Sequence, residues 1–203
     1  MYGSLDDKAL WARVMEGDKD ALAFIYNTYF PSLYRYGMKL SPDAHLVKDS
    51  IHDLFTGIWL SRERLSATDS IRFYLLASLK RRISRQQGLL NRLTDQSSAA
   101  MPFSGSHEEV LIGEQTDKER KEKLEKVING LPRRQREILY LRYYEGLDTQ
   151  ETAALMSLSV SSAYVLLSKA LNYLKQHSDK LICLFLGAAG SAILFLTCSL
   201  LIG

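Results

Sequence analysis

The stretch LPRRQREILYLRYYEGLDTQETAALMSLSVSSAYVLLSKALNYLK, Leu131 to Lys175, decides how this chain is to be read. Pro132 sits where a helix starts, since its missing N–H is not needed in the first turn. Gly146 sits where that helix ends in a left-handed cap. Asp148 to Leu155 then forms a short helix carrying the small Ala153. Met156, Ser157, Leu158 and Ser159 make a break, and a longer helix begins near Val160. On it Ala163, Leu166, Leu167, Ala170 and Leu174 recur with the spacing of a buried face. Ser161, Ser162, Tyr164, Val165, Ser168, Lys169 and Asn172 are left outward. The pattern predicts a helix-turn-helix. Its outward face offers hydroxyls, a phenol, an amide and methyls, groups able to approach DNA backbone and base edges. Lys169 is the one cation there, however, and spacing alone fits a packed helical hairpin as well as a DNA reader. The preceding helix shifts that balance, because Arg133, Arg134, Arg136 and Arg142 are placed to neutralise phosphates.

Outward from this stretch the chain remains helical in pattern. Its 203 residues suffice for two small domains. Strand-like alternation is absent, and apolar residues recur at steps of three and four. A short helix followed by a longer one is expected within residues 7–40, the longer one bearing Leu22, Phe24, Ile25 and Tyr29 and kinked at Pro31. The next helix is expected to begin with Ser41 as N-cap and Pro42 as its first residue. Val47, Ile51, Leu54, Phe55 and Ile58 form its apolar stripe. Ser61–Ser70 is a polar connection, and IRFYLLASLKRRISRQQ, Ile71 to Gln87, resumes as a strongly basic amphipathic helix. Periodicity fails over residues 91–117, where Ser, Ala, Gly and Pro gather, and this segment is read as a flexible linker. The expected domains are therefore 1–90 and 118–176.

Charge supports that division. The net charge of +3 says little, but Lys and Arg outnumber Asp and Glu by 13 to 10 over residues 1–90 and by 7 to 5 over 131–180, whereas 91–130 holds 6 against 8. Two basic modules flank an acidic spacer. No nucleophile–base set, phosphate-cradling glycine loop or metal-ligand spacing is present, so neither an enzyme nor a cofactor or metal site is expected. Both cysteines, Cys183 and Cys198, lie in the apolar tail and point to no disulfide framework. Met1–Asp20 contains no apolar run, so no secretory leader is expected. Residues 181–203 contain no charge, and as a helix they would measure about 35 Å, enough for a hydrocarbon core of roughly 30 Å. A transmembrane helix is expected there. Lys175 and Lys180 before it keep the remainder on the cytoplasmic side, tail-anchored to the inner membrane.

The 45 residues of the opening stretch resemble region 4 of sigma-70 family factors of the extracytoplasmic-function group: a Leu-Pro, a basic helix start, a Leu-Arg step, Glu-Gly-Leu and a helix-turn-helix. VKDSIHDLFTGIW, Val47 to Trp59, resembles region 2.2, which in this family docks on core RNA polymerase. The resemblance implies that Asp49, His52, Asp53 and Trp59, with Phe55 matching too, meet the polymerase. Ile71–Gln87 resembles regions 2.3 and 2.4, which hold the melted strand of the −10 element. That implies −10 contacts from Tyr74, Lys80, Arg81, Arg82 and Arg85, with Arg62 and Arg64 in the preceding loop, where relatives capture a flipped base. For the −35 duplex it implies Arg133, Arg134, Thr149, Ser159, Ser161, Ser162, Tyr164, Val165 and Lys169. Arg81 and His52 replace a common Asn and Gln, and Tyr164 and Leu166 stand where Lys and Arg are frequent, differences that bear on promoter sequence. The implied fold is all-α, with two small helical domains. The implied role is an alternative sigma factor whose partners are core RNA polymerase, promoter DNA and an anti-sigma factor. A helix-turn-helix regulator that never touches polymerase, and a membrane-tethered interaction protein, are the competing readings.

Overall fold

The computed structural model describes residues 2–93 and 127–177, and the chain divides into two units, residues 1–108 and 109–203. In the first unit, α1 (Asp7–Met15), α2 (Lys19–Leu40), α3 (Ala44–Leu60) and α4 (Ile71–Leu93) follow one another, with a single 3₁₀ turn at Arg62–Arg64 between the last two. Among the described residues there is no strand. Helices α2, α3 and α4 pack on one another, and α1 lies against α2 and α4.

Each helix starts where a carboxylate can take up its orphan N–H groups. Asp6 accepts from Ala9 N, Asp18 from Asp20 N and Ala21 N, and Asp43 from His45 N and Leu46 N. The cap of α3 is therefore Asp43, not Ser41. Ser41 closes α2, its N–H donating to Gly37 O, while its Oγ accepts from Asp43 N at 3.3 Å. A charged acceptor two residues nearer the helix outcompetes the hydroxyl. The Ala21 N–H bond to Asp18 holds that carboxyl below the ordinary carboxylate value, and Tyr2 Oη, donating to it at 2.9 Å, acts in the same direction. Between α1 and α2 the chain reverses at Gly17, whose φ of 91° needs a glycine. Pro31 does not end α2, which runs through it as one helix with the ring exposed.

The core follows the 3.6-residue period. The α3 stripe of Val47, Ile51, Leu54, Phe55 and Ile58 is buried as expected, and on α4, read only as an amphipathic helix, Ile71, Leu75, Leu76, Leu79 and Ile83 are buried. Burying each such side chain contributes roughly 1.5–3 kcal/mol, well above any single residue's helix propensity. On α2 the expected set is only partly inside. Ile25 is buried with Ala21, Leu33, Tyr36 and Leu40, while Leu22, Phe24 and Tyr29 are half-exposed. Tyr29 Oη reaches Asp7 at 3.4 Å, and burial, then the Asp7 charge, raises its pKa.

In the second unit, residues 127–129 are helical, and α5 (Arg133–Leu139) begins after Pro132. The expected continuous helix does not persist to Gly146. It widens into a π-helical segment, Tyr140–Tyr144, closed by Glu145 N donating to Tyr140 O at 3.0 Å. Gly146, at φ 68°, then turns the chain as expected. Helices α6 (Thr149–Leu155) and α7 (Val160–Gln176) follow, and α7 packs on both α5 and α6. Asp148 and Glu151 form a reciprocal capping box on α6, and Ser159 caps α7. Ile138, Leu141, Leu147, Ala153, Leu155, Met156, Ala163 and Ala170 are buried. Leu166, Leu167 and Leu174, expected inside, are half-exposed.

The two alanine positions on α7 admit a close crossing, and so does Gly37 on α2. A Cβ on Gly37 would stand 2.5 Å from Val47 Cγ1. Gly37→Ala is expected to destabilise the chain by about 1–3 kcal/mol in urea titration. Combining it with Val47→Ala should cost less than the sum of the two single changes. Ser157, between α6 and α7, has a φ of 55° and carries the C-terminal cap of α6 through Leu158 N to Ala153 O, 2.9 Å. A left-handed non-glycine residue costs roughly 1–2 kcal/mol. Ser157→Gly is therefore expected to raise stability by about 0.5–1 kcal/mol, seen as a higher Tm.

Candidate nucleic-acid and polymerase interfaces

The first surface is the outer face of α3. Burial of the Val47 to Ile58 stripe turns Asp49, His52 and Asp53 outward, and all three are exposed. Trp59 lies at the edge of this face and is half-buried beneath two cations, with Arg62 Cζ 4.8 Å and Lys19 Nζ 5.9 Å from its ring. Arg62 also donates to Trp59 O at 3.1 Å and pairs with Glu63 at 3.4 Å. Arg62, expected as a DNA contact, is folded onto Trp59, and Arg64 beside it is exposed. Sequence reasoning missed Leu60, which is 76% exposed at the end of the acidic face. The apolar period had already been satisfied at Ile58, and that was the available signal that Leu60 points outward.

The second surface lies between α3 and α4. Tyr74, Arg81, Arg82 and Arg85 border an open groove whose floor is Leu54, Gly57 and Ile58. Arg81 is steadied by its bond to Ser78 Oγ, 3.1 Å. Arg82 lies over Gly57, and a Cβ there would stand 2.7 Å from its guanidinium. Lys80, predicted with these residues, is half-exposed and does not line the groove, because one residue's step turns a helical side chain by about 100°. The groove combines cations, an aromatic ring and an apolar floor, which suits an unstacked strand.

The third surface is on α7. Ser161, Ser162, Tyr164, Val165 and Lys169 are exposed, and Arg134 joins Ser161, Ser162, Val165 and Lys169 around a shallow groove. Arg134 also donates to Met156 O at 3.0 Å, bracing the turn it borders. Ser159 is occupied as the cap and bonds Ser162 Oγ at 2.8 Å. Thr149 and Arg133 are half-exposed. Two further arginines expected to meet phosphate are engaged internally: Arg136 donates to Asn129 Oδ1 at 3.3 Å, and Arg142 donates to Leu147 O.

With these surfaces in place, the chain can be compared with known proteins. Residues 121–174 match the family described as Sigma-70, region 4. A search of curated proteins finds no match. Among solved structures, CnrH in complex with the cytosolic domain of CnrY is 16% identical, with a TM-score of 0.53 over 84% of this chain and 95% of that one. The sigma factor RpoE in complex with the anti-sigma factor NepR, from Bartonella quintana, is 20% identical, with a TM-score of 0.54 over 80% and 98%. The chain thus shares the all-α fold of these proteins along most of their length.

Among the described residues no single helix is long and apolar enough to cross a membrane. The segment expected to do so, 181–203, lies outside them, as do residues 94–117 of the expected linker. Residues 91–93, also assigned to the linker, are still helical as the end of α4.

Because Arg82's guanidinium is the flexible end of a long side chain, Gly57→Ala is expected to displace it at little cost to the fold. A crystal structure of that variant should show Arg82 lifted from α3, with stability changed by less than about 1 kcal/mol.

Proposed function

We propose that this protein is an alternative sigma factor that directs core RNA polymerase to specific promoters. The observation that carries the reading is the region 4 match over residues 121–174, on a chain that shares the sigma-factor fold. In this reading the face of Asp49, His52, Asp53, Trp59 and Leu60 docks on core polymerase. Carboxylates give it steering and register, and the ring and Leu60 bury apolar area. The groove of Tyr74, Arg81, Arg82 and Arg85 holds the opened −10 strand, with bases stacking and phosphates meeting guanidinium groups. The α7 face of Ser161, Ser162, Tyr164, Val165 and Lys169, flanked by Arg134, enters the −35 duplex. That face is poor in cations, so its intrinsic affinity is low. Attachment to polymerase supplies the difference as effective concentration. An anti-sigma factor is a further proposed partner, because the similar RpoE structure holds the anti-sigma factor NepR. We propose also that residues 181–203 anchor the chain in the membrane with both DNA-binding modules on the cytoplasmic side. The support is 23 consecutive uncharged residues.

Run-off transcription with core polymerase tests the main reading. The wild-type chain should give promoter-dependent product. Asp49→Lys with Asp53→Lys should abolish product and core pull-down together while leaving the α7 face intact. A regulator that never touches polymerase would show no core pull-down even as wild type, and its DNA binding would survive the same charge reversal. For the tail, an alkaline wash of membranes should leave the full chain in the pellet, whereas a chain shortened at residue 180 should be released.

A further inference from the structure

Trp11 of α1 is fully buried, yet its indole N–H is spent on a loop 55 residues away, donating to Ser66 O at 3.0 Å. The same ring packs against Tyr74, with centroids 4.9 Å apart and planes tilted by 59°. One buried side chain thus fixes two things at once: the backbone in the middle of the 61–70 loop, and the ring at the mouth of the α3–α4 groove. Its neighbours on α1 act on the same loop. Asp7 Oδ2 accepts from Ile71 N at 2.8 Å, capping α4 from across the chain, and Lys8 Nζ stands 3.9 Å from Asp69. Inside the loop Ser70 N donates to Thr68 Oγ1 at 3.3 Å. Ser66, Ala67 and Asp69 stay exposed.

We propose that Trp11 is a positioning residue for capture of the opened promoter strand: it holds the 61–70 loop and Tyr74 in the arrangement the strand requires. A core tryptophan needs only apolar neighbours and any acceptor, and nothing in packing requires that acceptor to belong to the loop. Because it does, the entropy of ordering the loop is lost on folding and not again on binding DNA. The inference rests on the sigma-factor reading above.

The test uses holoenzyme assembled from core polymerase and the full chain. A pool of duplex promoters randomised over both elements first yields the wild type's preferred template. That sequence is then offered as duplex, as pre-opened duplex and as single strand carrying 2-aminopurine. Trp11→Phe keeps an aromatic ring and removes the N–H, and loss of one hydrogen bond should weaken strand binding about five- to tenfold. Core affinity should change less than twofold. Val14→Ala, a buried change on the same helix that removes no hydrogen bond to the loop, controls for stability. It should lose Tm without losing strand affinity. If Trp11→Phe folds poorly, benzothienylalanine at position 11 preserves size and replaces N–H by sulfur, and the same loss is expected. A Trp11→Phe or benzothienylalanine chain that binds strand like wild type, or no more weakly than Val14→Ala, overturns the inference alone. A wild-type holoenzyme that selects no template overturns the sigma-factor reading and this inference together.

Discussion

The first module depends on α4 serving two environments at once. Ile71, Leu75, Leu76, Leu79 and Ile83 must be inside for the bundle of α2, α3 and α4 to exist. Helical geometry then leaves Tyr74, Arg81, Arg82 and Arg85 at the margin of that buried face, along the groove with α3, with no separate adjustment. Positive charge along a helix repels itself, and burial of the apolar face is what holds three guanidinium groups of neighbouring turns beside one groove. Function and stability are therefore coupled through one repeat, and a change of register in α4 would disturb both.

The second module handles its charges differently. Sequence places four arginines on α5 and the π-helical segment after it, as if for phosphate. The structure gives Arg142 to a backbone carbonyl, Arg136 to Asn129 and part of Arg134 to the turn at Met156. Short helices with few buried contacts need such bonds to hold their connections, and a cation committed to a carbonyl is only partly available to DNA. The α7 face is thus built more for shape and hydrogen bonding than for electrostatic grip. That is consistent with a module presented to its target by something larger.

What could be read from sequence was whatever has a period or a fixed cap. The α3 stripe, the amphipathic α4, the turn at Gly146 and the start of α7 at Val160 follow from local rules and lie where those rules put them. Side-chain partnerships across the chain do not follow. Asp43 rather than Ser41 caps α3 because two acceptors competed. Arg62 turns onto Trp59, and Lys80 leaves the groove, because facing depends on single-residue rotation. Trp11 donates to a carbonyl 55 residues away, that of Ser66, and no pattern within a helix encodes such a bond. Pro31, expected to kink α2, lies within that helix on its exposed side.

The π-helical segment at Tyr140–Tyr144 governs how the second module answers a change in chain length. It accommodates one residue more per turn than an α-helix, and Leu147 N still closes back onto Leu141 O at 3.1 Å. Loss of a single residue there would restore ordinary winding and leave everything downstream facing almost as before, because the surplus residue is taken up within one widened turn. The segment is a slack link, able to give up or hold one residue without changing which way the α7 face looks relative to α5.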